Sequence, residues 1–97
     1  MNQSHKTLQK YLMCSFAYYI LLDSLVEDAE YDQMARYLLE HFDEWQDHQH
    51  AYLVTKGDLT AGTLYRHKYT DYPAMVIAAT DMWSRKLWEE QLDKGEV

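Results

Sequence analysis

The chain has 97 residues, 47% of them hydrophobic, and 9 Lys and Arg against 16 Asp and Glu, for a net charge of −7. A chain of this length forms one domain that buries about 60–65% of its unfolded surface, so its stability margin is small. The acidic balance argues against a surface for the nucleic-acid backbone, which needs clustered Lys and Arg, and no apolar run approaches membrane-spanning length.

The N-terminal "MNQSHKTLQK" is too polar for a signal peptide. A first helix is predicted from Ser4, read as its N-cap. Leu8, Leu12, Ser15/Phe16, Tyr19 and Leu22 recur at helical spacing, with Tyr11 and Tyr18 beside them. The pattern ends at Asp23-Ser24, and Leu25 and Val26 pack the connection. Cys14 is the single cysteine. It reads as a small buried hydrophobe, allows no intramolecular disulfide, and points to a reducing, cytoplasmic setting (a host cytoplasm if the chain is viral).

Asp28 is the predicted N-cap of a second helix, with Glu30 favourable at its positive end. Tyr31, Met34/Ala35, Leu38, Phe42 and Trp45 form its apolar stripe. A short connection between two such helices implies an antiparallel hairpin. Asp47 to Lys56 reads as a polar stretch. Asp58 then caps a short helix over Leu59–Tyr69 with Gly62 inside it, a hairpin or loop being the alternative there. Pro73 opens a longer last helix with Met75/Val76, Ala79, Met82/Trp83 and Leu87 as its stripe, Trp88 beside it and a frayed end at Gly95. The expected fold is all-α, one domain over 1–97: an N-terminal antiparallel helical hairpin, a short helix and a longer C-terminal helix.

Two stretches stand out chemically: Tyr18-Tyr19, and the string Asp28-Ala29-Glu30-Tyr31-Asp32 that runs on into "QMARYLLE". Together they resemble the N-terminal domain (Ia) of NAD-dependent DNA ligases, in which Tyr-His is followed after about eight residues by Asp-x-x-Tyr-Asp and a helix. The resemblance covers residues 10–45, and residues 46–97 carry no such likeness. It implies contact with the nicotinamide mononucleotide half of NAD through Tyr18, Tyr19, Asp28, Tyr31 and Asp32. Tyr19 replaces the family's histidine, and a phenol differs from an imidazole in its donors and acceptors. A Lys-x-Asp-Gly nucleophile setting is lacking, so a non-catalytic accessory module, of a kind phages encode, is the expectation. Such a module needs no cofactor, but takes NAD or nicotinamide mononucleotide as a ligand. Read without the resemblance, the same residues are a cap, a first core aromatic and a solvated first-turn acid.

The alternative function is a viral-type protein–protein interaction module, an acidic decoy in one version, that modulates a host protein. His41, Glu44, Asp47, His48 and His50 lack any recognised zinc spacing and read as a solvated helix end, so no metal site is expected. Leu64–Tyr69, "LYRHKY", is the one basic-aromatic cluster. The net charge argues against direct nucleic-acid binding there, and a protein partner is the expectation.

Overall fold

A computed structural model of the chain describes residues 3–62, 64 and 66–95, and for 88–95 the backbone alone. Four helices run in the order α1 (Gln3–Phe16), α2 (Asp28–Glu40), α3 (Lys56–Ala61) and α4 (Ala74–Gly95), and no strand occurs among the described residues. The domain is therefore all-α.

The stripe on α1 follows the predicted spacing: Leu8, Tyr11, Leu12 and Ser15 have no exposed surface. Ser4 belongs to that stripe rather than capping it. It lies inside α1, fully buried. Its hydroxyl donates to Glu44 Oε1 at 2.9 Å and lies 3.3 Å from Tyr37 Oη. The start of α1 abuts the far end of α2, and the exposed Glu44 carboxylate supplies the buried serine hydroxyl with its acceptor. At the other end of α1, Ser15 meets Tyr31 at the start of α2. The two helices are thus antiparallel.

Beyond Phe16 the helix widens into a π turn, Ala17–Leu21, and stops at Leu22 in the left-handed conformation (φ 57°). The Asp23 N–H closes it on Ala17 O at 2.9 Å. A π turn displaces the side chains that follow it, and such turns recur at functional sites. Tyr18 and Tyr19 lie in it. Leu25 and Val26 pack half-buried over the core as the sequence suggests.

α2 starts at Asp28 and not after it. Glu27 holds the cap position, with no side-chain capping bond. The predicted stripe is buried at Met34, Ala35 and Leu38. The helix ends at Glu40, so Phe42 and Trp45 sit in the turns that follow. Trp45 is fully buried, and its Nε1–H donates to Leu38 O at 2.9 Å. That bond gives the indole a partner and folds the chain back across the end of α2.

The predicted polar stretch Asp47–Lys56 carries part of the core: His50, Ala51, Leu53 and Val54 are all buried. Alternation of polar and apolar residues hides the apolar set there, because a tight turn over Ala51–Leu53 obeys neither helical nor strand periodicity. α3 is shorter and earlier than predicted. Thr55 is its N-cap, in a reciprocal capping box with Asp58, and Gly62 terminates it at φ 72°. Arg66 then grips Asp58 through two bonds of 2.9 and 2.8 Å and donates to Leu53 O at 3.2 Å.

α4 begins directly after Pro73, whose carbonyl accepts from the Val76 and Ile77 N–H groups. Val76 and Thr80 are buried and Trp83 is half-buried, while Met75 and Met82 are 63% and 72% exposed. The buried face is thus turned away from the predicted methionines. Thr80 lies on it because its hydroxyl donates to Val76 O at 2.7 Å. The side chain of Trp88 lies outside the described residues, and the chain at Gly95 is still helical.

Candidate functional site

A cleft of about 220 Å³ opens where the π turn, the 22–27 loop, the start of α2 and the end of α3 meet. Its wall consists of Cys14, Tyr18, Tyr19, Ser24, Leu25, Val26, Asp28, Tyr31, Asp32 and Gly62. All five residues singled out in the sequence, Tyr18, Tyr19, Asp28, Tyr31 and Asp32, face it. They come from two segments joined by the loop that forms the cleft's rim.

Tyr31 is the fixed wall. One face of its ring stacks on Tyr11 at 4.7 Å with the planes 17° apart. Its hydroxyl lies 2.6 Å from Ser15 Oγ, which itself donates to Tyr11 O at 2.8 Å. With the serine proton so committed, the tyrosine O–H is the donor of the shorter bond. Burial pushes the Tyr31 hydroxyl up to about 12, with Ser15 opposing the shift. Tyr31 is thus a first core residue and a cleft residue at once.

Tyr18 and Tyr19 meet edge to face, ring centres 4.8 Å apart at 77°, and make an L-shaped corner. Tyr18 is the exposed arm. Tyr19 is half-buried. Burial raises its hydroxyl's pKa, while a hydrogen bond from the Leu64 backbone and the neighbouring Tyr31 hydroxyl oppose the rise.

Asp28 and Asp32 stand four positions apart on α2, hence one turn apart on one face. Asp28 caps nothing, because the helix leaves the cap position to Glu27. Neither carboxylate forms an ion pair or hydrogen bond among the described residues. Opposite them, Gly62 contributes no side chain. A Cβ built there would stand 4.0 Å from Asp32 Oδ1, so the glycine that ends α3 also leaves that carboxylate open to the cleft.

Cys14 closes the floor. It is 2% exposed, and burial pushes its thiol up to about 12, so it stays protonated and is no nucleophile at neutral pH. Behind the floor, Tyr11 and Tyr72 carry hydroxyls buried without a well-formed hydrogen bond. Burial raises the pKa of both, and Tyr31 and Tyr19 raise it further. Sequence reading missed this group of phenols. Tyr72 lies 32 residues beyond the end of α2 at Glu40, and only the packing of the 69–72 turn against Phe16 brings it in.

The other sequence clusters have structural employment. His41 pairs with Glu44 at 2.6 Å and His5 with Asp47 at 2.9 Å. His48 lies 5.2 Å from both the His5 and His50 rings. Its Nδ1 accepts from the His50 N–H at 3.0 Å. His50 is buried, so this region is not simply a solvated helix end. Among the described residues no group of three or more His, Cys, Asp or Glu is arranged to hold a metal ion. The Leu64–Tyr69 cluster does not form a free basic patch: Leu64 is fully buried, Arg66 is held by Asp58, and His67 Nε2–H donates to Leu53 O at 2.6 Å. Tyr65 lies outside the described residues. Among the described residues no helix is long and apolar enough to cross a membrane.

No family model matches the chain, no curated protein matches it, and no solved structure matches it. The chemistry of the cleft therefore carries the functional argument by itself.

Proposed function

We propose that the chain is a non-catalytic binding module whose cleft takes the nicotinamide end of a nicotinamide nucleotide. The observation that supports this reading is the convergence of Tyr18, Tyr19, Asp28, Tyr31 and Asp32 on one wall. Aromatic faces suit a flat ring, and free carboxylates accept hydrogen bonds from ribose hydroxyls or a carboxamide. At about 220 Å³ the cleft suits a ring with its sugar and not a whole dinucleotide. Titration with millimolar nicotinamide mononucleotide or its riboside is expected to shift the NMR resonances of Tyr31 and Asp32, and Asp32→Ala to abolish the response. Unmoved resonances with both compounds would overturn the proposal.

A second reading, a module that docks on a protein partner, draws on one observation. Met75 and Met82, seven positions apart and so close to one face of α4, are 63% and 72% exposed. Under that reading Met75→Lys with Met82→Lys abolishes capture of the partner and leaves the helical circular dichroism intact. A double variant that still captures it removes this surface from consideration.

A further inference from the structure

The π turn that follows α1 and the helix α3 end in the same way, on a residue in the left-handed conformation. α3 uses Gly62, the residue suited to that backbone. The π turn uses Leu22, whose Cβ crowds the following carbonyl there. An apolar contact with the preceding turn commonly accompanies such an ending, yet Leu22 is 85% exposed. Tyr18 and Leu21, earlier in the same turn, are 49% and 44% exposed, and Leu25 and Val26 lie half-buried in the loop beyond. The hairpin tip thus holds an apolar ridge in water, and its last residue has a strained backbone. Neither feature stabilises the free chain. Strain clusters where a clamp or contact uses it, and exposed apolar patches mark interaction surfaces.

The rim of this ridge is acidic. Residues 11–35 contain Asp23, Glu27, Asp28, Glu30 and Asp32 and no Lys or Arg. Two of these carboxylates have cationic neighbours: Lys10 lies 3.5 Å from Glu30, and Arg36 stands one turn beyond Asp32 on α2. Asp23 accepts from the neutral Ser84 hydroxyl at 3.2 Å, and beside that serine Arg85 is paired with Asp81. Asp23 and Glu27 are both exposed and form no ion pair among the described residues.

We infer that the hairpin tip is a docking surface for a basic, amphipathic helix of a partner protein. The ridge of Tyr18, Leu21 and Leu22 meets its apolar stripe, and Asp23 and Glu27 meet its Lys and Arg. Leu21 and Leu22 stand three and four positions after Tyr18, the spacing at which a helix presents its own apolar anchors. Charge decides between the occupants. A second copy of the chain in a symmetric pair would bring the acidic rim against itself, and an anionic lipid surface would be repelled by it. The inference is independent of the nicotinamide reading, because neither Leu21 nor Leu22 lines the cleft. It also concerns a surface other than the α4 methionines.

The test titrates the intact, isotope-labelled chain with three synthetic peptides of about 18 residues, long enough for five helical turns. The first carries Leu at i, i+3, i+4 and i+7 with Lys elsewhere. The second keeps the Leu stripe and has Glu in place of Lys, and the third keeps Lys and has Ser in place of Leu. The Lys/Leu peptide is expected to shift the NMR resonances of Tyr18, Leu21 and Leu22. It is expected to bind at least about tenfold tighter than either control, its lead over the Glu form shrinking as salt rises. Leu22→Gly is expected to weaken that binding about tenfold while the thermal midpoint holds or rises, which separates loss of the anchor from loss of the fold. Asp23→Asn with Glu27→Gln keeps the side-chain shapes and is expected to lower the salt dependence. Equal affinity of Leu22→Gly and the natural chain, or shifts confined to Met75 and Met82, would overturn the tip as the docking surface. A Glu/Leu peptide or phosphatidylserine vesicles binding as well as the Lys/Leu peptide would overturn the basic helix as its occupant. Concentration-dependent broadening at Leu22 in the chain alone would do the same, by giving the ridge to a second copy. Absence of any response to the three peptides would overturn the docking surface and leave the nicotinamide reading untouched.

Discussion

Leu22 is the one described non-glycine residue with a positive φ, and it is 85% exposed. An L-residue held in the left-handed region costs about 1–2 kcal/mol. The exposed side chain contributes almost no burial to offset that cost. Leu22→Gly removes the strain, and the added freedom of glycine in the unfolded chain returns about 0.5–1 kcal/mol of it. The expected net result is a gain of about 0.5 kcal/mol, or roughly 2–4 °C in Tm for a domain of this size. Leu22→Asn, which enters the same region readily without the glycine entropy, is expected to match or exceed it. Urea denaturation followed by circular dichroism reads the change as a higher midpoint at constant slope. A loss of stability in both variants would refute the reasoning, since it would mean that the leucine side chain is buried against something in solution. Leu22 is absent from the cleft wall, so ligand affinity is expected to stay constant while stability rises.

Four further outcomes follow from the packing. Trp45→Phe removes the donor to Leu38 O and leaves a void at a fully buried site, so a loss of about 2–4 kcal/mol by urea denaturation is expected; a loss under 1 kcal/mol would show that the turn repacks. Tyr72→Phe deletes a buried hydroxyl without a partner and is expected to be neutral or mildly stabilising, whereas a loss above about 1 kcal/mol would mean that a buried water serves that hydroxyl. Burial and neighbouring histidines depress the pKa of His48, with Asp47 opposing, and burial depresses that of His50. The unfolded chain therefore takes up these protons first: their contribution is complete above the unfolded value of about 6.5 and is lost as pH falls below it, and His48→Gln is expected to flatten stability over that window. Burial raises the Asp58 carboxyl, but bonds from Arg66 and from Thr55 outweigh it and hold the pKa below the usual range. That contribution is present above about 3.9 and lost as pH falls through the lowered folded value, so Asp58→Asn should destabilise at pH 7 and cost far less at pH 2, measured by urea midpoints.

The helical class and the hairpin were legible because α1 and α2 carry continuous stripes, Leu8–Tyr11–Leu12–Ser15 and Met34–Ala35–Leu38, at a single period. The second half was harder to read for a physical reason. Between His50 and Gly62 the chain changes direction three times, through a tight turn, a six-residue helix and a left-handed glycine. Each piece is too short for a period to show, so Leu53 and Val54 passed for part of a polar run. α4 misled differently. Methionine at Met75 and Met82 weighs heavily in an apolar pattern, yet the helix buries Val76 and Thr80, because threonine's hydroxyl can be satisfied within its own helix.

The site divides along the same line. Tyr18, Tyr19, Asp28, Tyr31 and Asp32 are close in sequence, and a hairpin brings such residues together whatever lies beyond it. Gly62 and Leu64 were not legible as cleft partners, because their contact with Asp32 and Tyr19 depends on where α3 docks. Asp28 is where sequence and structure part most usefully. An aspartate just before a helix invites the reading of a cap, and a cap would consume its carboxylate. With α2 starting one residue earlier, the cap position falls to Glu27 and goes unused. A cap is worth about 1 kcal/mol. Glu27→Ser, which lets a hydroxyl reach the first-turn N–H groups, is therefore expected to raise stability by about that amount and leave the cleft charge intact. If Glu27→Ser proves neutral while Asp28→Ala destabilises by a similar amount, the helix starts one residue later in solution, and Asp28 is a cap after all.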